Sequence, residues 1–146
     1  MQALLYILLA IVMGAVISVY LPMNSSVSRH FGSAITANIS FFLVALLTAI
    51  VIFLLFGDFS SALRLKKVPP YLFLTGVVSA LMVLGTTFLI PRLGARKVFI
   101  LLIGGQIVMA MIISHLGILE SPKDPITMRK LIGAALLVIG SFVSMV

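Results

Sequence analysis

Residues 33–56 read SAITANISFFLVALLTAIVIFLLF, a stretch without a charged side chain. A bilayer core about 30 Å thick needs roughly 20 consecutive apolar residues in a helix, so this stretch is long enough to cross it with some tilt. A transmembrane β-barrel would show short alternating segments, whereas this run is continuous. The stretch therefore predicts a transmembrane helix.

Four further apolar runs share this character. The five predicted spans cover residues 4–21, 33–56, 71–90, 98–116 and 127–145. With 62% hydrophobic residues, 9% charged residues and a mean hydropathy of +1.34, the chain has too little polar surface for a soluble globule. We predict an all-α membrane protein: one five-span transmembrane domain over residues 1–146, retained in full at its N-terminus.

Local signals set the expected ends of the helices. Pro22 predicts the end of span 1 and a polar turn over residues 23–26, and Ser33 after Gly32 predicts the next helix start. Residues 58–67 predict a short interfacial helix capped by Asp58. Other expected stops and starts are Gly57, Pro69 with Pro70, Pro91, Gly117, and Asp124 with Pro125.

The basic residues divide almost evenly between the two predicted sides of the membrane. The side of the N-terminus carries Arg64, Lys66, Lys67, Lys123, Arg129 and Lys130, and the other side carries Arg29, Arg92, Arg96 and Lys97. Because Lys and Arg in short loops set orientation, six against four leaves two interpretations open. Either the N-terminus stays in the cytoplasm, or the chain inserts both ways and forms an antiparallel homodimer.

Several function classes find no support in the sequence. The net charge of +7 comes from loops beside the membrane, where anionic headgroups attract it, so a nucleic-acid partner is not expected. There is no cysteine, no metal-ligand cluster and no phosphate-binding glycine loop. We therefore predict no enzyme, no cofactor and no metal.

The chain resembles a family within the drug/metabolite transporter superfamily, the five-span inner-membrane exporters of the YdcZ type. The resemblance rests on Ile90-Pro91-Arg92-Leu93-Gly94-Ala95, Gly105-Gln106, His115-Leu116-Gly117, Arg129-Lys130-Leu131-Ile132-Gly133 and Gly140, and more loosely on Gly14, Asn24, Gly32 and Ser40-Phe41. The chain departs from the family pattern at Ser114, where the family has Asp, and at Ala110, where it favours Ser. A coupling role for that carboxylate is therefore not expected here.

The resemblance implies a bacterial inner-membrane secondary transporter. Ten-span relatives contain two inverted five-span repeats with substrate bound between them, so a five-span chain would rebuild this ten-helix bundle by antiparallel pairing with itself or a paralogue. We expect export of a small neutral or anionic metabolite by alternating access, since no acid lies within a span. A non-transporting membrane subunit, or one half of a heteromeric transporter, stays open as the alternative.

Polar residues within the spans, or directly after span 1, are the candidate substrate contacts. Gln106 ranks first, in line with Ser114, and Asn38, Thr86 and Asn24 follow. Each has a structural alternative: an amide can join helices, and a threonine hydroxyl usually bonds to the preceding turn of its own helix.

Two further expectations concern coupling and assembly. His115 is the proton-coupling candidate because histidine titrates around neutrality, although a position beside the headgroups explains it equally well. Gly133 and Gly140, seven residues apart, predict a seam of the dimer in span 5.

Overall fold

A computed structural model describes residues 2–62, 64 and 68–144, and all regular structure within them is helical. The elements are α1 (Gln2–Phe31), α2 (Ala34–Phe56), α3 (Phe59–Ala62), α4 (Leu74–Leu93), α5 (Ala95–Leu116) and α6 (Met128–Val143), with a 3₁₀ turn at Pro70–Phe73 before α4. The all-α prediction is confirmed for the described residues.

Four stretches of the described chain are long and apolar enough to cross a membrane. They are Gln2–Phe31, Ala34–Phe56, Pro70–Leu93 and Ala95–Leu116. Helix α6, the predicted fifth span, has 16 residues and is about 24 Å long at 1.5 Å per residue, which is less than the hydrocarbon thickness. The last predicted residue of that span, Met145, lies outside the described residues.

The protein has more polar character inside than outside. Among the described residues that are buried, five are apolar and four are polar: Asn24, Ser25, Thr86 and Thr87. Large apolar side chains cover the outside of every long helix. A soluble protein shows the opposite distribution, so this arrangement identifies a chain whose outer surface faces lipid.

The predicted end of span 1 at Pro22 is wrong, because α1 continues to Phe31 with Pro22 inside it. A proline within a helix removes one hydrogen bond, here the one to the Ser18 carbonyl. The predicted turn over residues 23–26 is also wrong, since Asn24 and Ser25 are buried in helical conformation. Packing of these side chains outweighs the missing bond, and neighbouring helices make such prolines tolerable in membranes.

A second proline also lies inside a helix. The sequence predicts the end of span 3 at Ile90, but α4 includes Pro91 and ends at Leu93. The sequence predicts a basic turn over residues 92–97, but in the structure only Gly94 separates α4 from α5. Its φ of 82° lies in the left-handed region that favours glycine.

Several predicted caps are confirmed. The Ser33 hydroxyl accepts a hydrogen bond from the Thr36 backbone N–H at 3.2 Å and begins α2. Gly57 follows the last residue of α2, and Gly117 ends α5 in the left-handed conformation. The Asp58 carboxylate accepts from the backbone N–H of Ser60 at 2.9 Å, at the start of α3.

Other predictions of helix ends fare differently. The predicted interfacial helix is described only as α3 and Arg64, because residues 63 and 65–67 lie outside the described residues. Asp124 with Pro125 does not open the last helix, which begins at Met128 after Thr127. The reason is that the Asp124 N–H donates to the Ser114 carbonyl at 2.8 Å, which ties residue 124 to the end of α5 instead.

The chain divides into two compact units, Met1–Arg92 and Leu93–Val146. In the first unit α1 packs along α2, with the rings of Tyr20 and Phe41 stacked at a centroid distance of 5.8 Å. In the second unit α5 packs against α6. Each unit has its own cavities and polar groups.

The continuous course of α1 generates a stability prediction. Pro22→Ala restores a backbone N–H for the Ser18 carbonyl, so we expect the detergent-solubilised protein to unfold at a higher temperature, with a gain of up to about 3 kcal/mol. Circular dichroism at the helical band measures this. Pro125→Ala, in the loop before α6, is the control and should give no gain. A Pro22→Ala protein no more stable than wild type would argue that the chain turns at residue 22.

Candidate functional site

A buried hydrogen bond joins α1 to α4 in the first unit. The Asn24 Nδ2 donates to the Thr87 Oγ1 at 2.8 Å, and both side chains are buried. The neighbouring Thr86 hydroxyl donates to the Val83 carbonyl of its own helix at 2.9 Å, as expected for threonine in a membrane helix. Thr87 does not follow that habit and instead serves as the partner of Asn24.

A second amide is only half satisfied. The Asn38 Nδ2 donates to the Ala80 carbonyl of α4 at 3.3 Å, but the Asn38 Oδ1 is buried and accepts no hydrogen bond from any described residue. Ala80 and Thr87 are seven residues apart on α4, which places them on one face about 10 Å apart. The amides of α1 and α2 therefore meet the same face of α4.

An open cleft of about 490 Å³ lies beside this face, between the start of α2 and α4. Its lining includes Ala34, one turn before Asn38, together with Gly85 and Phe88. The Arg92 guanidinium lies 3.3 Å above the centre of the Phe88 ring and donates to the Phe88 carbonyl at 2.6 Å. A cation is thus held one helical turn beyond the apolar cleft.

Gln106, the first-ranked candidate, lies on α5 in the second unit with its side chain exposed. Within the described part of the chain no residue forms a hydrogen bond with its amide. An unpaired amide is costly in the apolar layer of a membrane, so this side chain has unused hydrogen-bonding capacity. Gln106 belongs to the second unit, whereas Asn38 and Asn24 belong to the first.

Ser114 is half-buried and lines a cavity of about 260 Å³ between α5 and α6. Asp124 and Lys130 line the same cavity and form an ion pair with each other. His115, at the end of α5, is exposed, and its Nδ1 accepts a hydrogen bond from the Ile126 backbone N–H at 3.1 Å.

The two glycines of the predicted seam are exposed on α6. A Cβ atom at Gly133 or Gly140 would meet nothing within 4 Å. The residues of α6 that are partly buried, such as Ala134 and Val138, recur on another side of the helix. The seam glycines are therefore not used for packing between α5 and α6.

Sequence reasoning misses two features. Ser25 is 2% exposed, although the sequence predicts a polar turn there; its spacing of four residues from buried Leu21 is the signal that could have found it. The pairing of Asp124 with Lys130 is the second feature, and its spacing carries no recognisable signal. Among the described residues no three His, Asp or Glu side chains are grouped so that they could hold a metal ion.

Comparison with known proteins places the chain in a family. No match was found among curated proteins or solved structures. A family model, described as "Putative inner membrane exporter, YdcZ", matches residues 5–143, nearly the whole chain. The chain therefore belongs to this YdcZ family of membrane transporters.

Proposed function

We propose that the protein is a secondary transporter that exports a small neutral or anionic metabolite across the bacterial inner membrane by alternating access. Membership of an exporter family supports transport. The observation that carries the proposal is the unpaired Asn38 Oδ1, buried within helices whose outer surface is apolar. A lone acceptor in such surroundings costs free energy, and a ligand N–H or O–H would recover it.

The charges support the proposed substrate class. All three acids, Asp58, Glu120 and Asp124, lie outside the long helices, so no carboxylate in a span offers a site for an organic cation. Arg92 supplies a fixed positive charge beside the cleft of the first unit. A neutral or anionic molecule with an apolar part fits these surroundings best.

We further propose that two copies pair in antiparallel orientation, which gives a ten-helix bundle with an inverted repeat. The near-equal distribution of Lys and Arg supports insertion in both orientations. The free amide of Gln106 and the open glycines of α6 offer surfaces for a second chain. In the second candidate, a heteromer, an oppositely oriented five-span paralogue takes that place, or the chain is a subunit that does not itself transport.

Export is tested by Asn38→Leu, which keeps the shape and removes the unpaired acceptor. Metabolites released by producing cells are compared by mass spectrometry with those released by cells without the protein. We expect release of the exported metabolite to fall about tenfold, because the variant lacks about one hydrogen bond to the substrate. Thermal stability should change little, because removal of the unsatisfied acceptor offsets loss of the hydrogen bond to the Ala80 carbonyl.

Thr48→Val is the matched control on the same helix. The Thr48 hydroxyl donates to the Val44 carbonyl of its own helix at 2.8 Å, so export should be unaffected. Equal losses in both variants, or a less stable Asn38→Leu protein with unchanged export, would show that Asn38 only joins helices.

Orientation is tested with single cysteines, since the chain has none of its own. Glu120→Cys and Phe31→Cys place a thiol on opposite predicted sides, and neither substitution changes the count of basic residues. An impermeant thiol reagent applied to intact cells should label about half of the copies of each variant if both orientations occur. Permeabilised cells give full labelling as the control.

Labelling of one variant in full and the other not at all would contradict dual topology. The homodimer proposal would then fail, and a partner of opposite orientation would be sought.

The seam is tested by Gly140→Leu. A bulky side chain on this open face should block close approach of a second helix, so we expect dimers in mild detergent to give way to monomers. Light scattering coupled to size-exclusion chromatography measures the mass. Gly14→Leu, which also meets nothing within 4 Å, is the matched control on α1. Intact dimers in Gly140→Leu would place the interface elsewhere.

A further inference from the structure

The two histidines use the same ring nitrogen in opposite ways. The His30 Nδ1 lies 2.9 Å from the Ser26 carbonyl, and because a carbonyl only accepts, this nitrogen must carry a proton. The His115 Nδ1 lies 3.1 Å from the Ile126 backbone nitrogen, whose N–H only donates. The His115 Nδ1 must therefore be unprotonated, with the ring proton on Nε2.

Protonation affects the two hydrogen bonds differently. An imidazolium carries a proton on both nitrogens, so the bond from His30 to Ser26 survives. At His115 the new proton occupies the lone pair that accepts from Ile126, and the bond breaks. One histidine is indifferent to protonation, whereas the other has a hydrogen bond that only its neutral form can make.

The hydrogen bond between His115 and Ile126 is one of a few that hold the loop between α5 and α6. The Asp124 N–H donates to the Ser114 carbonyl, and Lys130 both pairs with the Asp124 carboxylate and donates to the Pro125 carbonyl at 2.9 Å. The same loop contains Leu119 and Glu120 with positive φ values of 57° and 59°. Such conformations in residues other than glycine are strained, so the loop stays closed only while its hydrogen bonds hold.

Two of these loop residues, Asp124 and Ile126, also line an open cavity together with Lys130 of α6. Asp124, Ile126 and Lys130 form one side of the cavity of about 260 Å³, and Ser114 and Met111 of α5 line the other. Ile126 donates its N–H to His115 and also lines the cavity. Loss of this hydrogen bond therefore frees the Ile126 side of the cavity to move. Protonation of His115 and access to the cavity are thus physically linked.

We propose that His115 is a proton-binding site whose occupation releases Ile126 from the end of α5 and widens this open cavity. The proton comes from water and binds Nδ1, and the Ile126 N–H turns to solvent. The charged neighbours are Asp124 in the loop and Lys130 on α6, with Glu120 in the same loop and Lys123 packed over Gly117. Ile126 is held to the end of α5 while the His115 Nδ1 is unprotonated, and it is released when that nitrogen gains a proton. As the coupling step of export, this inference rests on the proposed function.

Hydrogen–deuterium exchange of the segment containing Ile126 tests the proposal on the full-length protein in lipid nanodiscs. After correction for intrinsic rates, protection should fall about fivefold between about pH 8 and about pH 5, the equivalent of one broken hydrogen bond. In His115→Gln the amide oxygen can still accept and does not titrate, so protection should be independent of pH. His30→Gln should keep the wild-type dependence.

An unchanged pH dependence in His115→Gln would overturn the proposal. If that variant does not fold, the ¹⁵N spectrum of the wild-type imidazole decides: a proton on Nε2 at high pH is expected, and a proton on Nδ1 contradicts the hydrogen bond with Ile126. The exchange experiment needs no transport. A loop that opens with acid in a protein that exports nothing would therefore refute the export proposal and leave the proton site standing.

Discussion

Lipid offers no hydrogen bonds, and this constraint determines how the chain is arranged. A polar group in a span is costly without a hydrogen-bond partner. Leucine, isoleucine and valine accordingly cover the outside of the first unit, while four of its polar side chains are buried: Asn24, Ser25, Thr86 and Thr87. The hydrogen bond between Asn24 and Thr87 is the clearest product of this rule. It also explains why a core in which polar residues nearly equal apolar ones is compatible with a stable membrane protein.

Three side-chain amides differ in how many of their possible hydrogen bonds they form. Asn24 is buried against Thr87, Asn38 uses its donor but not its acceptor, and Gln106 forms no hydrogen bond within the described chain. The first is suited to hold helices together, because removing it would strand a buried partner. The other two have unused capacity, which is what a binding surface requires. Asn24 therefore contributes most to holding the helices together, whereas Asn38 and Gln106 keep hydrogen-bonding capacity that a ligand could use.

The sequence predicts much of the fold because most signals are local. Apolar runs locate the long helices, and Ser33 and Gly117 cap them as their chemistry requires. Signals fail where distant contacts decide, as at Pro22, where the helix continues because Asn24 and Ser25 beyond the proline are buried. Polarity alone identifies the candidate residues Asn24 and Asn38. It does not identify their partners, because Thr87 and Ala80 are far away along the chain.

Each of the two helices joined by the Asn24–Thr87 hydrogen bond contains a proline close to that bond. Pro22, two residues before Asn24, has no N–H to donate to the Ser18 carbonyl. Pro91 in the same way leaves the carbonyl of Thr87 itself without its usual helical donor. Kinks in long helices concentrate at such positions. The hydrogen bond therefore joins α1 and α4 within about one turn of the position at which each helix lacks a backbone hydrogen bond, and it supplies a contact between the helices where each is weakest along its own axis.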